Sequence, residues 1–343
     1  MLRKLSGPFL ALVLSLILVA GVAPAQSINA GGATFPYPVY SKWFSEYNKK
    51  FPKVAINYQS IGSGGGVQQV TAGTLDFGAS DYSLTDAQLK EFHDKRGFNV
   101  LQFPTVLGAD VPAYNLPGVT AVLNFTPEAL AGIFLGNIKK WNDPAITGPN
   151  PGVKLPASDI VVMHRSEGSG TTFIWVDYLC KISKEWETKV GRGASVNWPV
   201  GLGGKGNEAV AGLVKQTPNS IGYVELTYAL QNKMPYGNVK NSAGAFVKAD
   251  LASVTAASAA VKEMPDDFRV SITNPPGKDA YPIASFTWLL IPEKIADPDK
   301  KKAIKDFLAW MLSDGQNLTE PLSYAKLPPP VVAKEKNAIA KIQ

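Results

Sequence analysis

Residues 54–72 read VAINYQSIGSGGGVQQVTA, and their order decides the fold class. Val54–Gln59 alternates apolar and polar side chains, the period of a half-buried strand, and Val67–Ala72 reads as a short helix. Ser60-Ile61-Gly62-Ser63-Gly64-Gly65-Gly66 is the turn between them. The same strand, glycine-rich turn and helix recur further on. Ile160–Met163 runs through Glu167-Gly168-Ser169-Gly170-Thr171-Thr172 into an apolar helix to Ile182. Upstream, Val39, Tyr40, Trp43, Phe44 and Tyr47 form a helical stripe within 36–50, and Leu75–Ala79 reads as a strand. Downstream come a long apolar segment over 99–115, a helix near 127–135, a helix near 208–216 leading to a strand at 220–226, a strand at 281–291 and a helix over 299–313. Alternating strands and helices predict an α/β fold with mainly parallel sheets.

The chain has 343 residues, which at roughly 150 per domain predicts two domains. Hydrophobic residues make up 45% and charged residues 18%, which excludes a disordered chain or a coiled coil. One cysteine, Cys180, excludes an internal disulfide or a zinc ribbon, and two histidines argue against a His-rich metal site. Arg3 and Lys4, an apolar run from Phe9 to Val22 and Ala23-Pro24-Ala25 have the layout of a cleaved signal peptide over residues 1–25. That run is short of the roughly 20 residues a membrane span needs. No cysteine near the cleavage signal offers a lipid anchor, so a soluble periplasmic protein starting near Gln26 is expected. The leader carries two bases and no acid, so its loss lowers the net charge from +6 to +4. With no basic run longer than Lys300-Lys301-Lys302, nucleic acid is not an expected partner.

Three polar loops precede helices: Gly31-Gly32-Ala33-Thr34-Phe35, Ser60–Gly66 and Glu167–Thr172. Each puts hydroxyls and free N–H groups at the positive end of a helix. One alone reads as an ordinary cap and turn. Three together, with Arg165 four residues before Ser169, read as an anion site. Asp81, after the strand-like FGAS, reads in two ways. It caps the segment starting Ser83-Leu84-Thr85-Asp86, or it faces the anion. An ionised carboxylate only accepts, so it tolerates an oxyanion only when that anion brings a proton. Phosphate near neutral pH does so and sulfate does not, and the mismatch would reject sulfate.

The stretches GGATFPYPVYSKW, IGSGGGVQQV, DFGASD, QFPTVLG, GNIKKWND, HRSEGSGTT, WPVGLGGKGNEAV and SIGYVE, from about residue 31 to 227, closely resemble the periplasmic phosphate-binding proteins of phosphate ABC transporters. The resemblance implies a type II two-lobed clamp, each lobe a mainly parallel sheet flanked by helices. It would close on inorganic phosphate and deliver it to membrane permease subunits, as a monomer without cofactor or metal. Lobe one would comprise 26–115 and 225–343, and lobe two 116–224. Carried over by motif, the implied ligands are Thr34 and Phe35 (Phe35 through its N–H), Ser63, Asp81 as acceptor of the phosphate proton, Arg165, Ser169, Gly170 and Thr171. Arg165 would also pair with an acid, commonly Asp in the family and here Glu167. His164 stands where the pattern has a second basic residue.

Other signals are weaker. Gly201-Leu202-Gly203-Gly204-Lys205-Gly206 fits GxGxxG, but Pro199 spoils the strand before it, and it reads as a turn before a helix. Cys180 shares an apolar helix face with Phe173 and Val176 and reads as a buried small residue. The alternative function is a secreted phosphatase or phosphotransferase using the same cradle. Neither GxSxG nor HExxH occurs, and Ser63 and Ser169 lack evident His–Asp partners.

Overall fold

The computed structural model describes residues 26–343; the expected leader, 1–25, lies outside the described residues. The strands in chain order are β1 (Gln26–Gly32), β2 (Val54–Ser60), β3 (Phe77–Ser80), β4 (Val100–Asn115), β5 (Asn124–Phe125), β6 (Val161–Arg165), β7 (Leu202–Gly204), β8 (Ser220–Glu225), β9 (Asn238–Lys240), β10 (Phe246–Val247) and β11 (Ala284–Pro292). Eight of them form one sheet in the order β2-β1-β3-β11-β4-β8-β6-β7, and β10-β9-β5 form a small second sheet.

The long strand β4 links the two halves. Val100–Ala109 pairs antiparallel with β11, and Asp110–Asn115 pairs antiparallel with β8. Away from this seam the strands run parallel: β1 with β2 and β3, and β6 with β7 and β8. The architecture is the two-lobed α/β fold expected, with the parallel strands outside and antiparallel ones through the centre. The register of β11 slips at Thr287/Trp288, which face Val106 and Pro104, leaving Thr105 as the extra residue of a bulge. Pro104 has no N–H to give the ladder, and a bulge is where a strand accommodates one. Thr105 then bonds through its hydroxyl to the Thr287 carbonyl (3.2 Å) and the Tyr40 hydroxyl (2.9 Å).

The helix Tyr37–Lys50 buries the whole expected stripe, Val39, Tyr40, Trp43, Phe44 and Tyr47. The helix Pro298–Met311 covers it, with Phe307 packed edge-on to Tyr47 and the Trp43 indole N–H donating to the Gly315 carbonyl (2.7 Å). The other half has its own aromatic core, where Trp175 and Trp198 stack on Tyr223. Cys180 is buried, as its helix face predicts. In the later part of the chain β9 pairs with β5, and the Gly237 N–H donates to the Pro112 carbonyl, so this segment sits beside the second half of the sheet.

Several buried acids set the pH response of the fold. Burial pushes Asp81 up to about 7 from 3.8, and it pushes Asp110, Glu225 and Glu335 well above their ordinary range. Each binds its proton more tightly folded than unfolded, so the folded chain holds more protons and stability falls as pH rises. For Asp81 this contribution is complete below about pH 4 and is lost as pH climbs through about 7. Through Glu225 and Glu335 the melting temperature of the phosphate-free protein should be higher near pH 5 than near pH 8. A melting temperature that rises over this range would mean that these acids are not neutral in the fold.

Candidate functional site

The three sequence loops end at one place. β1 finishes at Gly32, where a Cβ would lie 2.2 Å from the Ala79 carbonyl oxygen, so only glycine lets β1 pass β3 here. The turn that follows carries Thr34 and Phe35. Its carbonyls are occupied: Tyr228 donates its hydroxyl to Thr34 O and Tyr324 donates to Phe35 O, both at 2.6 Å. The N–H edges of the turn are what remains for another acceptor. After β2, Gly62 takes a φ of +88° and the helix Ser63–Ala72 starts at once, four residues earlier than its apolar pattern predicts. This places Ser63 in the first turn. Ser169 caps the helix Gly170–Ile182 by accepting from the Thr172 N–H (3.0 Å). The N–H groups of Gly170 and Thr171 stand in the first turn, where no helical acceptor exists.

Asp81 follows β3 and is 1% exposed. It is not a helix cap. The next helix, Asp86–Arg96, is capped by Thr85 in a reciprocal pair with Gln88. Asp81 instead accepts through Oδ1 from the Thr287 hydroxyl (2.8 Å) and through Oδ2 from the Ser63 hydroxyl (3.2 Å). Burial raises its pKa to about 7 against the lowering influence of Thr287, Arg165 and Ser63. The carboxyl therefore changes charge near neutral pH.

Arg165 ends β6 and is 3% exposed. Its Nε donates to Glu167 Oε1 (2.9 Å), Nη2 binds the same oxygen, and Nη1 donates to Thr171 Oγ1 (3.0 Å). The expected pairing of Arg165 with an acid is thus made by Glu167. The same Oε1 also accepts from the Gly206 N–H (3.0 Å), tying the start of the next helix to the pair. His164 stacks on Trp198 with ring centroids 4.9 Å apart. Its Nδ1 lies 2.9 Å from the Arg165 carbonyl.

One residue that sequence reading missed is Asn207. It opens the helix Gly206–Gln216 just after the glycine loop read as a bare turn, and it is fully buried. Its Nδ2 donates to both Thr34 Oγ1 (2.8 Å) and Thr171 Oγ1 (3.1 Å), and its Oδ1 accepts from the Glu225 N–H. Thr34 Oγ1 also takes the Asn207 N–H (3.3 Å), and Thr171 Oγ1 also takes Arg165 Nη1. A hydroxyl oxygen has two acceptor positions, and here both are filled. Thr34 and Thr171 can therefore act on a further group only as donors. The signal was present, because the loop is a fourth glycine-rich segment running into a helix.

The two halves meet closely. The Gly64 N–H donates to the Gly168 carbonyl (2.9 Å), and Tyr82 stacks on Phe173 at 4.9 Å. A Cβ on Gly170 would lie 2.5 Å from both Asp81 Oδ2 and Ser63 Oγ. Of the residues expected at the site, Ser63, Asp81 and Gly170 are in direct contact, and Thr34, Thr171 and Arg165 are linked through Asn207 and Thr171; Phe35 and Ser169 adjoin them along the chain. A cavity of about 420 Å³ adjoins them on the outer side, lined among others by Asp81, Phe173, Asp177 and Arg192. The set offers several donors and one titratable acceptor. Among the described residues no histidine bonds either serine: the Ser63 hydroxyl donates to Asp81, and Ser169 caps its helix.

A family profile described as a PBP superfamily domain matches residues 19–315. The phosphate-binding protein PstS of Pasteurella multocida is 46% identical over 312 residues, covering 90% of this chain and 89% of the relative. That of Xylella fastidiosa (strain Temecula1) is 47% identical over 307 residues, covering 89% and 82%. Among solved structures, a phosphate binding protein from Stenotrophomonas maltophilia superposes with a TM-score of 0.73 at 16% identity, covering 91% of this chain and 94% of that one. This last match bears on the fold alone.

Proposed function

The chain belongs to the PstS phosphate-binding protein family within the PBP superfamily, and from that premise we propose that its cleft binds inorganic phosphate for import by an ABC transporter. It is a binding protein and not an enzyme. The observation that carries the reading is the pairing of one buried acceptor, Asp81, with a surrounding set of donors. Thr34, Ser169 and Thr171 hydroxyls, the N–H groups of Phe35, Gly170 and Thr171, and the Arg165 guanidinium bind the phosphate oxygens, and the Ser63 hydroxyl turns to the anion from Asp81 when phosphate is bound. Asp81 accepts the phosphate proton. Glu167 holds the guanidinium in orientation, and Asn207 fixes the Thr34 and Thr171 hydroxyls as donors. Oriented dipoles and one cation stabilise the anion without neutralising it fully, because Arg165 is already paired with Glu167.

The clamp closes by rotation of two lobes about the seam in β4. Lobe one is formed by 26–115 and the later part of 225–343, and lobe two by 116–224 together with the β9–β10 hairpin, which pairs with β5. Lobe one brings Thr34, Ser63 and Asp81, and lobe two brings Arg165, Ser169, Gly170 and Thr171. The protein acts as a periplasmic monomer after loss of residues 1–25, and its closed form docks on the permease subunits. Among the described residues no helix is long and apolar enough to cross a membrane.

Closure is measurable. Small-angle scattering should show the radius of gyration fall when phosphate is added and not when chloride is. An unchanged radius, with binding present, would contradict the clamp. Gly170→Ala should cost about one to two orders of magnitude in phosphate affinity, because its methyl group would overlap Asp81 and Ser63 and hold the lobes apart. Calorimetry giving wild-type affinity for this variant would mean the lobes do not meet at Gly170.

A further inference from the structure

We infer that Asp110 is a second acid of the phosphate cleft, which takes up one proton each time the lobes close and so couples phosphate affinity to pH. The inference rests on the phosphate reading of the site. Asp110 stands where the pairing of β4 changes hands: Ala109 is the last partner of β11, and Asp110, opposite Glu225, is the first partner of β8. It is fully buried, and neither carboxyl oxygen has a hydrogen-bond partner. Its neighbour Glu225 is buried too but well served, accepting from the Thr227 N–H (2.8 Å) and the Tyr324 hydroxyl (3.0 Å).

The strand geometry places Asp110 on the face that packs against Phe35, whose backbone belongs to the first loop of the site. Alternation puts its side chain on the face of Gly108, where the Phe35 ring lies 2.6 Å from the position of an added Cβ. Across the strand pair, Tyr223 shares the face of Glu225. Its hydroxyl accepts from the Arg165 N–H (3.0 Å) and bonds Thr172 Oγ1 (2.6 Å) in the first turn of the helix Gly170–Ile182. The carboxyl thus shares a buried face with the Phe35 ring and with Tyr223, whose hydroxyl binds the Arg165 N–H at the end of β6.

The charges facing it come from every side. Asp81 from β3 and Glu225 from β8 raise its proton affinity, Arg165 from β6 lowers it, and burial outweighs all three. The phenols of Tyr223 and Tyr281 complete the surroundings, the latter donating to the Asp110 carbonyl (3.0 Å). A buried carboxylate without a single hydrogen bond is too costly to stay ionised, so the closed form holds Asp110 protonated. When the lobes part, water reaches the seam and the carboxyl ionises in its ordinary range. Closing then draws one proton from solvent. Because the closed-state pKa lies above the open-state one, closure is favoured at low pH and weakens by about tenfold per pH unit between the two values.

The test is calorimetry of inorganic phosphate binding from about pH 5.5 to about pH 8.5, in paired buffers of different ionisation enthalpy, which counts protons. Wild type is compared with Asp110→Asn, a polar isostere, and Asp110→Val, an apolar one, so that misfolding of either leaves the other to decide. The ionisation of phosphate and of Asp81 is common to all three and cancels. Wild type should take up about one more proton than either variant, and its affinity relative to theirs should fall by about tenfold per pH unit. Equal proton uptake would overturn the role of Asp110. Absence of phosphate binding by the wild type at every pH would overturn the reading of the site instead.

Discussion

Asp81→Asn is expected to abolish most of the discrimination between phosphate and sulfate, with a smaller effect on phosphate affinity itself. The wild-type carboxylate is buried and already takes the Thr287 and Ser63 hydroxyls, so what it offers the ligand is a further acceptor position. Phosphate fills it with a proton. Sulfate leaves two acceptors face to face in a site without water to separate them. Sites built around a ligand proton reject the analogue lacking it by about four orders of magnitude. Asparagine presents an N–H instead, which sulfate accepts and phosphate accepts equally well. Competition calorimetry on the variant should find the two anions within about tenfold of each other. Since burial raises Asp81 to about 7, the wild type should also lose selectivity below neutral pH, where the carboxyl carries its own proton. Undiminished selectivity in the variant would remove Asp81 from the account.

Arg165→Met is expected to weaken phosphate binding by about three orders of magnitude. The guanidinium holds Glu167 through two bonds and Thr171 through a third, and its side chain is almost fully buried. Removing it takes away the one cation of the site and leaves Glu167 as a charge without its partner beside the bound anion. Breaking a buried pair from one side costs about 3–5 kcal/mol. The double variant Arg165→Met with Glu167→Gln should recover part of that loss, because the stranded charge goes with its partner. Calorimetry on the single and double variants separates the two contributions. A double variant no better than the single one would show that Glu167 is not a charged neighbour of the ligand.

Much of this was legible in residue order. The stripe in 36–50 and the serine-capped helix after 169 are local patterns that the fold keeps, whereas the glycine turn after 59 is shorter than read, because the helix already starts at Ser63. What escaped depends on contacts between distant segments. The cap reading of Asp81 fails because Thr85 with Gln88 makes a better cap, and Thr287, some 200 positions away, claims the carboxylate. Asn207 was hidden for a similar reason: its partners Thr34 and Thr171 lie on segments far from it in the chain, and its own loop looks like an ordinary turn. Asp110 lay inside a long apolar run whose apolar character said only that it is buried. The antiparallel seam of β4 with β11 and β8 is likewise a matter of which strands meet, which no window of sequence contains.

We propose that the closed cleft recognises phosphate by the proton it carries. The most direct measurement is calorimetric titration of the wild-type protein near pH 8, first with phosphate and then with sulfate, in the same buffer. One phosphate per chain should bind, with sulfate weaker by about four orders of magnitude. Equal affinity for the two anions, or no binding of either, would contradict it.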